Sequence, residues 1–139
     1  MSWRGAVASV LIALAGCRPA AEVPAGTGAK EAGHAFFEAL SRQDWPASYA
    51  LLTPESRARV GADEFARMAQ AYRRSLGFET TEVHVTACDE RGPNAIAHVT
   101  LSGQSPHRQR FKDAIALRRG DAGWSVILPA NFGQSGAAR

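Results

Sequence analysis

From residue 30 the apolar positions recur with a helical period. Ala32, Ala35, Phe36, Ala39 and Leu40 fall at i, i+3, i+4, i+7 and i+8, which predicts a helix over Lys30 to Arg42 with one buried face. Asp44 is a candidate N-cap, with Pro46 in the first turn of a second helix whose inner face carries Trp45, Tyr49 and Leu52. Pro54 ends that helix, because the residue before a proline avoids the helical region. Thr53-Pro54-Glu55 can itself start a short helical turn through Arg59. Gly61 breaks that turn, Asp63 is a candidate cap, and Phe65, Met68, Ala69, Tyr72 and Leu76 keep helical spacing up to a stop at Gly77.

At Phe78 the period changes to two. Val83, Val85 and Ala87 alternate with Glu82, His84 and Thr86, as in a strand with one buried face. Turn formers fill Asp89 to Asn94, and Ala95 to Ser102 follows as a second strand. After a turn over Gly103 to His107, Arg108 to Arg118 forms a third strand. Residues 119–123 turn again, and Trp124 to Leu128 forms a fourth strand ended by Pro129. Helices first and then a meander of strands predict an α+β domain over 30–130: N-terminal helices packed on a four-stranded antiparallel sheet. Residues 131–139 are small and polar and read as a flexible tail.

Ahead of this domain the pattern is different. Arg4 precedes an apolar run from Ala6 to Ala15, far shorter than the roughly 20 residues a membrane span needs. Such a run suits the core of a secretion signal over residues 1–16. Leu14, Ala15, Gly16 and Cys17 at its end resemble the lipobox of bacterial lipoproteins. The resemblance implies a diacylglycerol thioether on Cys17, cleavage before it and acylation of the new amino terminus. Two or more acyl chains hold a protein stably on a bilayer. Arg18, where an Asp would favour retention in the inner membrane, leans towards the periplasmic side of the outer membrane in a diderm cell. Residues 17–29, rich in Pro, Gly and Ala, read as the lipidated cysteine and a flexible tether.

Removing the signal leaves about 123 of the 139 residues, one domain of ordinary size. The signal holds one basic residue and no acid, so the formal charge falls only from +3 to +2. That balance gives no support to nucleic acid as a partner. Cys88 is the other cysteine, so acylation of Cys17 rules out an internal disulfide. The chain has no C-x-x-C and no H-E-x-x-H, so no zinc or other metal site is expected, and nothing implies a cofactor. Cys88 reads as a buried, inert thiol.

Four stretches in order carry a further resemblance: His34-Ala35-Phe36-Phe37-Glu38-Ala39-Leu40, Asp44-Trp45, Tyr49-Ala50-Leu51-Leu52 and Gly123-Trp124-Ser125-Val126. Their order and spacing resemble the nuclear-transport-factor-2-like superfamily, which includes SnoaL-like and ketosteroid-isomerase-like proteins. The resemblance implies a cone-shaped fold with a curved sheet wrapped around helices, often with a pocket. Some members are enzymes, and many are binding or accessory domains.

An enzyme of this kind needs an acid or base inside the cone, with a pKa shifted by burial. Asp113 is the candidate base, because Phe111, Ile115 and Leu117 share its strand parity. A strand end, a bulge or an arginine partner would instead leave it in water. His98 shares parity with Ile96 and lies opposite Val99 and Leu101, so a pocket wall and the surface are both open to it. Tyr49 and Tyr72 lie on inner helix faces and are expected to line the pocket, rings in the core and hydroxyls at a partner or the rim. Spacing assembles none of these into a catalytic set.

Strands two to four are apolar at both parities around Ala95 to Val99, Ala114 to Leu117 and Val126 to Leu128. A strand buried on both faces reads that way. One face meets the helices; the other is expected to meet a second copy or an envelope protein, or is explained by sheet curvature. The sequence thus points to a lipid-anchored envelope protein with a binding or interaction domain. A SnoaL-like or isomerase-like enzyme with a pocket acid or base is the alternative. Ligand and partner stay unnamed.

Overall fold

The computed structural model describes residues 26–104 and 106–134. The expected signal peptide, Cys17, the tether up to residue 25 and the tail from residue 135 lie outside the described residues.

Helix α1 (Ala29–Ser41) buries Phe36, Ala39 and Leu40 of the expected face, adds Ala29, Gly33 and Phe37, and leaves Ala32 and Ala35 half-buried at its edge. Phenylalanines outcompete alanines for the core because each fully buried large side chain contributes about 1.5–3 kcal/mol. Two short helices follow, α2 (Trp45–Ala50) and α3 (Pro54–Arg59). Asp44 caps the first, accepting from Ala47 N–H at 3.2 Å, and Thr53 caps the second, accepting from Ser56 N–H at 3.2 Å. Leu52 lies beyond α2 and pairs as an isolated parallel bridge with Val126. Helix α4 (Ala62–Leu76) starts at Gly61, not Asp63; Asp63 sits in its first turn, where a negative charge suits the helix dipole. Gly77 ends it in the left-handed conformation.

The sheet runs β1 (Glu82–Arg91), β2 (Asn94–Gly103), β3 (Gln109–Gly120), β4 (Gly123–Val126), each antiparallel to the next. The turn expected over 89–94 shrinks to Gly92-Pro93, with Arg91 paired to Asn94. The positive φ of 58° at Gly92 before a proline is the combination a tight two-residue hairpin needs. Strand β1 carries a bulge between Val85 and Ala87 that reverses its parity. Ala87, expected inside with Val83 and Val85, is therefore exposed, and Cys88 takes the inward position. The bulge bends the sheet, and all four helices lie on its concave side, burying Val85, Ala97, Val99, Leu101, Ile115 and Leu117.

The end of the expected tether is docked, and the chain leaving β4 is clamped. Thr27 donates from N–H and hydroxyl to the Glu90 carboxylate at 3.0 and 2.9 Å and accepts from Trp124 Nε1 at 2.9 Å. Residues 127–128 leave β4 under a clamp from α3. Ser56 Oγ accepts from Leu128 N–H at 3.1 Å and from Thr53 Oγ1 at 2.8 Å, while the Arg59 guanidinium donates to Leu128 O.

The end of α1 carries a conformational cost. Asp44 N–H donates to Ala39 O and Gln43 N–H to Leu40 O, the paired bonds of a helix stop whose central residue is left-handed. Gln43 holds that position at φ 61°, where a glycine is usual. Left-handed backbone costs a residue with a Cβ roughly 1–2 kcal/mol. Gln43→Gly is expected to stabilise the protein by about 1 kcal/mol, read as a raised urea midpoint at an unchanged slope.

Candidate functional site

The concave face is where chemistry would have to reside. Asp113 faces it, half-buried between Phe111 and Ile115 on β3 and opposite Val99 on β2. The parity reading of Asp113 thus gives its true side of the sheet. Across from it, Tyr72 on α4 donates its hydroxyl to Asp113 Oδ2 at 2.7 Å, while Asp113 Oδ1 accepts from Ala114 N–H at 2.8 Å. Burial first, then the adjacent carboxylate and the hydrogen bond, push the Tyr72 phenol well above its ordinary pKa. It remains a proton donor throughout the neutral range.

A residue absent from the candidate set packs on the Tyr72 ring. Phe132, in the turn after β4, is only 7% exposed. Its ring stacks on Tyr72 at 4.9 Å and 17° and on Phe65 at 6.1 Å and 5°, and it meets Phe36 at 6.2 Å. Gly133 follows at φ 76° so close to the Met68 carbonyl that a Cβ has no room. The stretch expected to begin a flexible tail is therefore part of the core through at least residue 133. Beside Tyr72 the remaining gap, between Phe37, Leu40, Leu76 and Leu101, is about 10 Å³. That is room for about one water and for no organic ligand.

The other candidates sit elsewhere. Tyr49 donates its hydroxyl to Val60 O at 3.0 Å and Arg57 O at 3.2 Å and packs on Phe65 at 5.5 Å, joining α2 to the end of α3 rather than lining a pocket. His98 is on the convex face, exposed, with Nε2 at 3.5 Å from Asp89. The pocket-lining expectation for Tyr49 is therefore corrected, and of the two positions open to His98 the structure takes the surface one. Cys88 is half-buried; desolvation, then Glu90, Asp89 and Glu31, raise its thiol pKa, against an opposing Lys30. It is a poor nucleophile at neutral pH. Among the described residues no cluster of three or more His, Cys, Asp or Glu is placed to hold a metal.

On the convex face the register builds rows across the sheet. Ile96, 48% exposed, lies between Asp89 and Ala116, and the neighbouring row is Ala87, His98 and Ala114. Arg110 and Lys112 extend the basic side along β3, with Glu82 and Asp89 on β1.

No family model and no curated protein matches the sequence. Solved structures do match. A protein described as a candidate NTF2-like transpeptidase from Campylobacter jejuni superposes at a TM-score of 0.53 and 13% identity, over 71% of this chain and 96% of that one. The chain has a nuclear-transport-factor-2-like fold. A protein described as a candidate dehydratase of the NTF2-like family from Streptomyces avermitilis aligns at a TM-score of 0.47 and 21% identity, over 69% of this chain and 86% of that one. Within this nuclear-transport-factor-2-like frame Phe132 packs among Tyr72, Phe65 and Phe36.

Two outcomes test the arrangement. Phe132→Ala is expected to cost about 3 kcal/mol, read by urea unfolding. The raised Tyr72 pKa contributes stability that is fully present below pH about 10 and lost as pH rises past it, because the unfolded chain ionises first. The stability gap between the native protein and Tyr72→Phe is expected to narrow between pH 8 and 11, with Tyr72→Phe showing the shallower alkaline loss.

Proposed function

We propose that this protein is lipid-anchored through Cys17 in the bacterial cell envelope, on the periplasmic side of the outer membrane in a diderm cell, and that its domain is an interaction module without turnover of its own. The observation that carries the reading is the filled cone. Phe132 stacks on Tyr72 at 4.9 Å inside the cup, and the gap beside Tyr72 is about 10 Å³, too small for an organic ligand. The partner surface in this reading is the convex face, where exposed Ile96 sits beside Ala116 and near Ala87 and Ala114, with Glu82 and Asp89 on β1 and Arg110 and Lys112 on β3. The partner is a second copy or another envelope protein. The lipobox-like Leu14 to Cys17 supports the anchor, and among the described residues no helix is long and apolar enough to cross a membrane.

The Tyr72–Asp113 contact favours a second reading, a SnoaL-like or isomerase-like enzyme. In it Phe132 withdraws, Asp113 takes a proton and Tyr72 polarises the substrate. Turnover by the native protein that vanishes in a folded Asp113→Asn variant would establish that reading.

Metabolic labelling with an alkynyl palmitate is expected to mark the full chain and to be lost in Cys17→Ser; an unlabelled native protein contradicts the anchor. Ile96→Arg is expected to abolish the crosslinked species formed in intact cells while leaving the unfolding free energy within about 0.5 kcal/mol of native, as for a surface change.

A further inference from the structure

At the end of the domain away from Thr27, beyond the last turn of α1, an open basin of about 600 Å³ lies between the α1–α2 loop, α4 and the Gly77–Glu79 segment. Its walls include Gln43, Gln70, Arg73, Arg74, Phe78 and Glu79. Gln70, Arg73 and Arg74 stand at i, i+3 and i+4, on one face of α4. Neither arginine pairs with a carboxylate among the described residues, whose ion pairs are His34 and Arg42 with Glu38, and His98 with Asp89.

A helix C-terminus attracts cations, and that alone accounts for basic residues in the last turn of α4. It does not account for Gln43. That residue keeps a side chain at a left-handed helix stop where glycine would be cheaper, and the side chain lines this basin. An unfavourable backbone position held at a cleft is a reason to look for a function there. The chemistry of the lining is specific. Guanidinium forks take carboxylate or phosphate oxygens in pairs. Glutamine amides both donate to and accept from hydroxyls, and the Glu79 carboxylate accepts from hydroxyls while repelling a second anion. Phe78 is half-buried and gives the basin an apolar patch.

We propose that this basin binds a hydroxylated ligand bearing one oxyanion, the chemistry shared by a sugar acid, a sugar phosphate and a glycerol-phosphate lipid headgroup. The basin lies apart from the convex face and shares only Arg73 with the gap beside Tyr72, so its failure leaves the proposed function untouched.

The test is amide chemical-shift titration of the full chain carrying Cys17→Ser, with glucuronate, glucose 6-phosphate and glucose as soluble probes and phosphatidylglycerol vesicles as the lipid arm. Saturable shifts at Gln43, Gln70, Arg73 and Arg74 are expected with at least one oxyanion probe and not with glucose. Binding by the soluble probes assigns a soluble ligand, and binding by the vesicles alone assigns a headgroup; both support the site. Arg73→Gln with Arg74→Gln is expected to weaken the dissociation constant by about tenfold or more. Gln43→Gly is expected to weaken it severalfold although it stabilises the fold, which separates a binding role from a structural one. No shifts with any oxyanion probe, or native affinity in the double arginine variant, overturns the proposal. Native affinity in Gln43→Gly overturns the role given to Gln43.

Discussion

The stack of Phe132 on Tyr72 is the contact on which the rest of the molecule's chemistry turns. A bulged, bent sheet and four helices make a cup, and a cup must be filled by side chains, water or ligand. Phe132 fills it from the end of the chain, parallel to Tyr72 and Phe65 and in contact with Phe36. Burial of Tyr72, with the Asp113 carboxylate beside it, holds the phenol in its neutral form. The Phe132 stack contributes to that burial.

The clamp upstream explains how a C-terminal segment can serve as core. Ser56, Thr53 and Arg59 fix the backbone at Leu128, and a left-handed glycine brings the chain against Met68. From Pro129 to Gln134 the backbone bonds are turn bonds, Phe132 N–H to Pro129 O and Gln134 N–H to Asn131 O, and the Phe132 ring adds contacts to Tyr72, Phe65 and Phe36. The interaction and enzymatic readings differ over this segment: the proposed chemistry at Asp113 has Phe132 withdraw.

Helix periods, caps and strand order were legible in the residues because each rests on local physics. Asp44, Thr53-Pro54 and Gly77 set helix ends through bonds within a few residues of themselves. The parity of Asp113 was legible for the same reason, since β3 pairs with β2 without a break from Gln109 to Arg118. Ala87 and Cys88 were misplaced because a bulge changes parity without leaving a mark in the hydrophobic pattern. His98 was undecidable on a strand apolar at both parities; the register puts it beside Asp89 on the convex face. Tyr49 was correctly placed on an inner face, but its hydroxyl goes to backbone carbonyls that only tertiary structure brings near. Phe132 was hidden by its neighbours. A single phenylalanine between Asn131 and Gly133 is a weak sign against a small, polar tail, and only packing shows that the cup needed it.

The most direct test of the filled cup is a carbon-edited nuclear Overhauser spectrum of the full chain with selectively labelled Phe and Tyr rings. The account predicts strong cross-peaks from the Phe132 ring to the rings of Tyr72 and Phe65, with upfield-shifted Phe132 protons. Sharp Phe132 signals at unstructured-peptide positions, with no contact to Tyr72, would contradict it and return the concave face to a substrate.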